Sequence, residues 1–238
     1  MNLKKTVLLL LLALLFSLNP QAQDRKFGVK IYPIPLITGK TPLQAELMVS
    51  PYRSITFDFS NRNLDLDDGF VGRILEDNVD QDVSGNFKSL LINPAFRLYS
   101  KKKEGPRGGY TAIGLRYNST EADIVIDLDD YPNSQVMFSS NMYGATLDFG
   151  VQWLVGNRVS IDWNIVGVGL QYGEIIGSTT APNLTAQEAQ DLADDLNSEL
   201  DGIPLVNFEF IATDNIVSMK ANQLIPFLRS RFSLGIFF

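Results

Sequence analysis

Between Tyr143 and Ile165 the chain alternates strictly between apolar and polar residues. Tyr143, Ala145, Leu147, Phe149, Val151 and Trp153 fall on one side, and Gly144, Thr146, Asp148, Gly150 and Gln152 on the other. After Gly156-Asn157 the alternation resumes, with Val159, Ile161, Trp163 and Ile165 against Arg158, Ser160, Asp162 and Asn164. Successive side chains of a strand point to opposite faces, and a Gly-Asn pair between two such runs is a tight turn, so this is a long β-hairpin with one apolar face. The same reading predicts eight strands, over residues 27–37, 43–50, 53–61, 87–100, 109–118, 136–155, 158–172 and 221–238. Pro51-Tyr52, residues 101–108 and Gly156-Asn157 are short connections. Residues 62–86, 119–135 and 173–220 are long ones, and only 38–42 breaks the alternation of lengths. Short turns on one side and long loops on the other, with an even strand number, are the plan of an up-and-down transmembrane β-barrel.

A soluble barrel also alternates, but turns its apolar face inward. Here the polar face carries charges of both signs in mid-strand: Lys30, Glu46, Asp58, Arg97, Arg116, Asp148, Arg158, Asp162, Arg229 and Arg231. The same face carries Gly114, Gly144, Gly150 and Gly235, which suit a narrow interior filled by side chains. The apolar face carries Tyr117, Tyr143, Trp153 and Trp163, the residue types of membrane-interface girdles. The expected fold is therefore all-β: an eight-stranded antiparallel transmembrane barrel. Its lumen is expected to be filled by the ten charged residues, paired because a lone buried charge is costly. On this reading Asp148 and Asp162 face each other, and Arg116→Leu destabilises the barrel. A ten-strand barrel is the rival count.

Two segments lie outside the eight strands. Val206, Phe208 and Phe210 alternate and predict a strand above the bilayer, while Ile124, Ile126 and Leu128 predict that the hairpin 109–155 projects beyond it. In the loop 173–215, Thr185 and Glu188 form a capping box. Ala189, Leu192, Ala193, Leu196 and Leu200 then follow at helical spacing, and Gly202 is a suitable C-cap. The stripe predicts a short helix, either packed onto the barrel mouth or neighbouring loops or serving as a partner- or ligand-gating lid.

Residues 1–23 read as a signal peptide. Lys4 and Lys5 precede the apolar run Val7 to Phe16, and Pro20-Gln21-Ala22-Gln23 offers the cleavage site. Residues 24–238 then form one barrel domain, exported to the bacterial outer membrane. Charge sharpens the picture. Twenty-one of the 27 acidic residues lie in residues 62–86, 119–139 and 173–215, which hold only Arg62 and Arg73 as bases. Barrel loops on one side of a membrane segregate charge in this way, and acidic loops disfavour nucleic acid as a partner.

The overall plan resembles the small OmpA/OmpX/OmpW-like outer-membrane barrels, in particular those whose signal peptides end in Ala-Gln. The segments carrying the resemblance are Asn93-Pro94-Ala95-Phe96-Arg97-Leu98-Tyr99, Gly109 to Tyr117, and the terminal Arg231-Phe232-Ser233-Leu234-Gly235-Ile236-Phe237-Phe238. The last strand, with Phe232, Leu234, Ile236 and Phe238 on one face, resembles the signal read by the barrel-assembly machinery. The resemblance implies lipid and lipopolysaccharide as surroundings.

The chain has no histidine and no cysteine. That removes disulfides, thiolate metal sites and the usual neutral-pH proton carrier of barrel hydrolases. Asp65, Asp67, Asp68, Asp77, Asp80 and Asp82 cluster in one loop. Asp80-x-Asp82-x-Ser84-Gly85 begins like a calcium loop, but Leu91 stands where the bidentate glutamate belongs. Divalent cations bridging such acids to lipopolysaccharide are a weak expectation, and no cofactor is expected. The function that follows is a non-enzymatic barrel serving envelope integrity or surface binding through acidic loops. A narrow channel and an accessory part of a secretion or surface-assembly machine are the alternatives.

Overall fold

The computed structural model describes residues 26–37, 39–65, 83–101, 104–126, 134–156, 158–180, 183–200 and 206–238. The predicted signal peptide, residues 1–23, and the acidic segment with Asp67, Asp68, Asp77, Asp80 and Asp82 lie outside them. Nine strands form one antiparallel sheet: β1 (Phe27–Ile31), β2 (Lys40–Ser50), β3 (Arg53–Asp65), β4 (Val83–Tyr99), β5 (Gly108–Ile126), β6 (Ser134–Val155), β7 (Val159–Thr180), β8 (Val206–Thr213) and β9 (Ile216–Phe237). Among the described residues two helices interrupt them, α1 (Pro33–Ile37) and α2 (Ala186–Leu200). Each strand pairs with the next in sequence up to β7, β7 pairs with β9, and β9 pairs with β1 to close the ring. The ring therefore has eight strands. β8 is a ninth, hairpinned to the far half of β9, from Val206↔Gln223 to Thr213↔Ile216.

Strands β5, β6, β7 and β9 run 19 to 22 residues. A barrel strand needs only about 9–11 residues to cross a membrane, so this wall stands well above the bilayer on the long-loop side. The sequence boundaries at 118, 172 and 221 fall short because polar residues replace the apolar face there. A hydrophobic pattern marks where lipid ends, not where hydrogen bonding ends.

The first predicted strand, 27–37, is corrected. β1 stops at Ile31, and residues 33–37 form α1. Pro33 and Pro35 carry no N–H and cannot serve a ladder, whereas the first turn of a helix needs none of its N–H groups. Gly39, at φ +75°, closes the turn by donating its N–H to the Leu36 carbonyl. α1 packs against β2 and β9, standing in the wall where β1 would otherwise continue.

Two further departures from ideal pairing place lumen residues. Pro94 of β4 lies opposite Leu115 of β5 and offers that carbonyl no donor. The Asn93 side chain substitutes, its Nδ2 donating to the Leu115 carbonyl at 2.7 Å. In β7 a bulge between Asn164 and Gly167 leaves both Ile165 and Val166 on the outer face. A bulge inserts one residue and re-aims its neighbours. This one sets Gly167 between Asp148 and Arg229, where a Cβ would collide with the Asp148 carboxylate.

The outer surface is a belt of large apolar side chains. Ile113, Leu115 and Leu228 are 65%, 67% and 78% exposed. Most of the largest fully buried side chains are polar, among them Lys30, Gln44, Glu46, Asn93, Gln152 and Ser160. A water-soluble protein does not expose a continuous apolar belt around a polar core, so the solvent of the outer face is lipid, and the protein is an outer-membrane β-barrel. Tyr117, Tyr143 and Tyr172 sit side by side in register on the outer face. Trp153 lies ten residues down β6, roughly 25 Å lower for a strand rising about 3.3 Å per residue at a tilt near 40°. That spacing matches the apolar band of such barrels. Trp163, also outward, donates its Nε1 to Ser230 Oγ at 3.3 Å. Phe232, Leu234, Ile236 and Phe238 share the outer side of β9, while Phe237 turns inward and is buried.

Helix α2 packs on the sheet face that continues the lumen face of β9. Ala189 and Ala193 are fully buried against Val217, Phe210 and Ala212. Asn197 clamps the free edge of β8, its Oδ1 accepting from the Phe210 N–H and its Nδ2 donating to the Phe210 carbonyl, both at 2.9 Å. At the N-terminus of α2 the Thr185 N–H and Oγ1 donate to Glu188 Oε2, and the Glu188 N–H donates to Thr185 Oγ1. These bonds hold the Glu188 carboxyl below the usual carboxylate range. A depressed folded-state value contributes stability above the unfolded value and loses it as pH falls through the folded one. Hydrogen-exchange protection factors of the α2 amides are therefore expected to hold at neutral pH and fall once pH drops below about 4. Glu188→Gln is expected to remove most of that pH dependence.

Candidate functional site in the barrel lumen

Inward-facing residues stack in layers along the lumen, because every second residue of every strand points there. At the short-turn end Met48, Tyr99, Tyr110, Ala112 and Phe237 form an apolar floor, with Leu154 against it. Phe237 lies against Gly28, where a Cβ would come within 2.6 Å of the ring.

On that floor rests a buried network of four charges. Lys30 Nζ lies 2.6 Å from Glu46 Oε2 and 2.7 Å from Asp162 Oδ2. Arg97 Nη1 lies 2.7 Å from the same Asp162 oxygen. Gln152 Oε1 accepts from both cations, at 2.8 and 3.0 Å. Ser54 and Tyr99 donate to Glu46 Oε1, at 2.6 and 2.5 Å, and Tyr110 donates to Asp162 Oδ1 at 2.8 Å. The Arg97 guanidinium also stacks 4.2 Å from the Tyr110 ring centre. Two cations meet two carboxylates, so the layer is neutral. Gly235 makes room for Lys30, since a Cβ there would collide with the lysine stem.

One layer higher, two further pairs form. Asp58 accepts from Arg231 Nη1 at 2.8 Å, from Tyr32 at 2.8 Å and from Gln44 Nε2 at 2.5 Å. Asp148 accepts two bonds from Arg229, through Nε at 2.8 Å and through Nη2, and a third from Asn164 Nδ2 at 2.8 Å. Arg229 Nη1 donates to Asn93 Oδ1 at 2.7 Å. The residue that repairs the wall at Pro94 thus also holds the plug. This layer too is neutral.

Eight of the ten charged residues singled out in the sequence meet in these two layers, and two do not. Arg158 lies at the β6–β7 turn, where its N–H donates to the Val155 carbonyl and its own carbonyl accepts from the Phe237 N–H. Arg116 stands above both layers with no ion pair among the described residues, its guanidinium 4.9 Å from the Phe227 ring centre. The reason is register: Asp58 and Asp148, the acids nearest its level, are already taken by Arg231 and Arg229. Asp148 and Asp162 do not face each other either. Asp148 pairs in register with Gly167, and Asp162 with Gln152. The β6–β7 hairpin register sets them four residues apart along β6, in different layers with different cations.

Sequence reasoning overlooked Tyr32, Gln44, Asn93, Tyr99, Tyr110 and Gln152. Their signal was parity: Tyr99 shares its face with Arg97, and Tyr110 with Gly114 and Arg116. Of the six clustered acids Asp65, Asp67, Asp68, Asp77, Asp80 and Asp82, Asp65 alone is described, at the end of β3. Leu91 is a strand residue of β4, paired with Ser60. Among the described residues no cluster of three or more acids could hold a metal ion.

The sequence matches, over residues 7–180, the family described as "Protein of unknown function (DUF3575)". No curated protein matches it. Two solved structures are similar. A major outer membrane protein from Thermus thermophilus has 15% identity and a TM-score of 0.42, with 91% of this chain and all of that one covered. CarO of Acinetobacter baumannii has 12% identity and a TM-score of 0.40, with 87% of this chain and all of that one covered.

Removing one partner from a buried charge cluster strands the other. Arg97→Leu is therefore expected to destabilise the folded barrel by about 3–5 kcal/mol. Arg116→Leu, which strands no carboxylate, is expected to leave the urea midpoint nearly unchanged. Urea titration in detergent, read by the heat-modifiable gel shift, measures both. Equal losses would contradict the layer assignment.

Proposed function

The chain belongs to the DUF3575 family, and we propose that it acts as a closed, non-enzymatic outer-membrane barrel. It would stiffen the envelope and present an acidic surface to the outside. One observation supports this above the others. Lys30, Glu46, Arg97 and Asp162 are almost completely withdrawn from solvent, on an apolar floor that crosses the lumen. An eight-strand barrel is just wide enough to be filled by its own side chains. Moving an ion past four coupled charges would require breaking them.

The same network argues against catalysis in the plug, because each of its carboxylates already accepts from two or more cations or hydroxyls. The acidic surface has support from α2, whose exposed Glu188, Asp191, Asp194 and Asp195 top the wall. Lipopolysaccharide, bridged through divalent cations, is the partner that suits such a surface. The outer side of β9 suits recognition by the barrel-assembly machinery. The eight-strand plan with a filled lumen suits kinship with the small OmpA/OmpX/OmpW-like barrels.

Planar-bilayer recording tests it. The folded, inserted protein is expected to show no discrete conductance steps in concentrated potassium chloride. Regular, salt-dependent steps would overturn the closed-barrel reading in favour of a narrow channel.

A further inference from the structure

Above the two neutral layers the lumen changes character. Lys40 opens β2 on the inward face and stands in register with Arg62 of β3. Arg116 of β5 stands in register with Gly144, and Gly144 with Gln171 of β7. Lys40 lies within the electrostatic reach of Arg62 and Arg116, and Arg116 within that of Arg229 and Arg231 and of their partners Asp58 and Asp148. The carboxylates below are consumed, so neither Lys40 nor Arg116 has an ion pair among the described residues.

Hydrogen bonding marks the same place. Arg116 Nε and Gln171 Nε2 are both buried, and neither has a hydrogen-bond partner among the described residues. A buried donor left unpaired is unfavourable, and here two of them share one level of the lumen. Gly144 stands between them, and a Cβ there would come within 2.8 Å of the Gln171 side chain. Beneath, Gly169 leaves space for the Phe227 ring, with which a Cβ would collide. Phe227 in turn supports the Arg116 guanidinium from one side. The arrangement holds these two donors in place, and among the described residues no acceptor reaches either.

We propose that Arg116, Gln171 and Lys40 form an anion site in the upper lumen that takes a phosphate group entering from the long-loop side. Two unneutralised cations match a group carrying close to two negative charges at neutral pH. The Arg116 fork and the Gln171 amide supply the directed donors that a tetrahedral oxyanion accepts. A single carboxylate would leave one cation uncompensated. The phosphate could come from a soluble ester or from a lipid headgroup, and the two sources share this chemistry. The site does not depend on the lumen being sealed below.

Isothermal titration of the mature full-length barrel in nonionic detergent tests the assignment, with inorganic phosphate and octyl phosphate as separate probes at low ionic strength. Saturable binding of one phosphate per barrel is expected. It should weaken at least about ten-fold in Arg116→Gln and in Lys40→Gln, and also as salt rises. Gln171→Leu should weaken it with little change in salt dependence. Binding of both probes identifies a soluble ester, and binding of octyl phosphate alone identifies a lipid headgroup. Both outcomes support the site. No binding of either probe would overturn it, as would unchanged binding in Arg116→Gln and Lys40→Gln variants that retain the folded gel shift.

Discussion

The interior of a narrow β-barrel has to be filled, and whatever fills it has to be neutral. The rest of this structure follows from that constraint. Lipid takes the apolar side of every strand, so the polar side must pack against itself. Charges brought into so confined a space persist only in company. Lys30 with Glu46, Arg97 with Asp162, Arg231 with Asp58 and Arg229 with Asp148 satisfy this over two layers. The hydroxyls of Tyr99, Tyr110, Tyr32 and Ser54 take up remaining acceptor positions.

The wall bends to serve those pairs. The bulge at Ile165 and Val166 costs a ladder position, yet it places Gly167 where Asp148 and Arg229 meet. Asn93 replaces the hydrogen bond lost at Pro94 and then holds Arg229. At β1 the two prolines end the strand early, and α1 fills the vacated edge with an apolar turn. Ile34 and Leu36 of that turn remain exposed, as befits residues facing lipid. A membrane tolerates irregular backbone only where protein covers its polar groups, and each irregularity here has a local substitute. The lower lumen is consequently a rigid, neutral floor, whereas the upper lumen keeps donors without acceptors.

Much of this architecture is legible in the sequence, because lipid outside and charge inside write a period of two into every strand. Strand existence and the inward face of most lumen charges follow from that period, and the capped helix follows from its own capping box and helical spacing. The pairing of the charges does not. Which carboxylate meets which cation depends on the stagger of eight strands and on a one-residue bulge that alternation cannot place. Arg116 shows the difference: its face is plain from its spacing, and its lack of a partner is set by what Arg229 and Arg231 do one layer below. The end of β1 was readable from Pro33 and Pro35, which a hydrophobic pattern alone passes over.

Because the chain has no cysteine, single thiols can report how far solvent enters the lumen. Ser160 is fully buried in the lower lumen, and Ser89 stands in register with Arg62 in the upper lumen. Ser160→Cys and Ser89→Cys would be exposed, in vesicles open to reagent on both sides, to a charged, membrane-impermeant methanethiosulfonate. A sealed floor beneath an accessible cup predicts rapid modification at position 89 and protection at position 160 until the barrel is unfolded. Equal modification at both positions in the folded protein would contradict it.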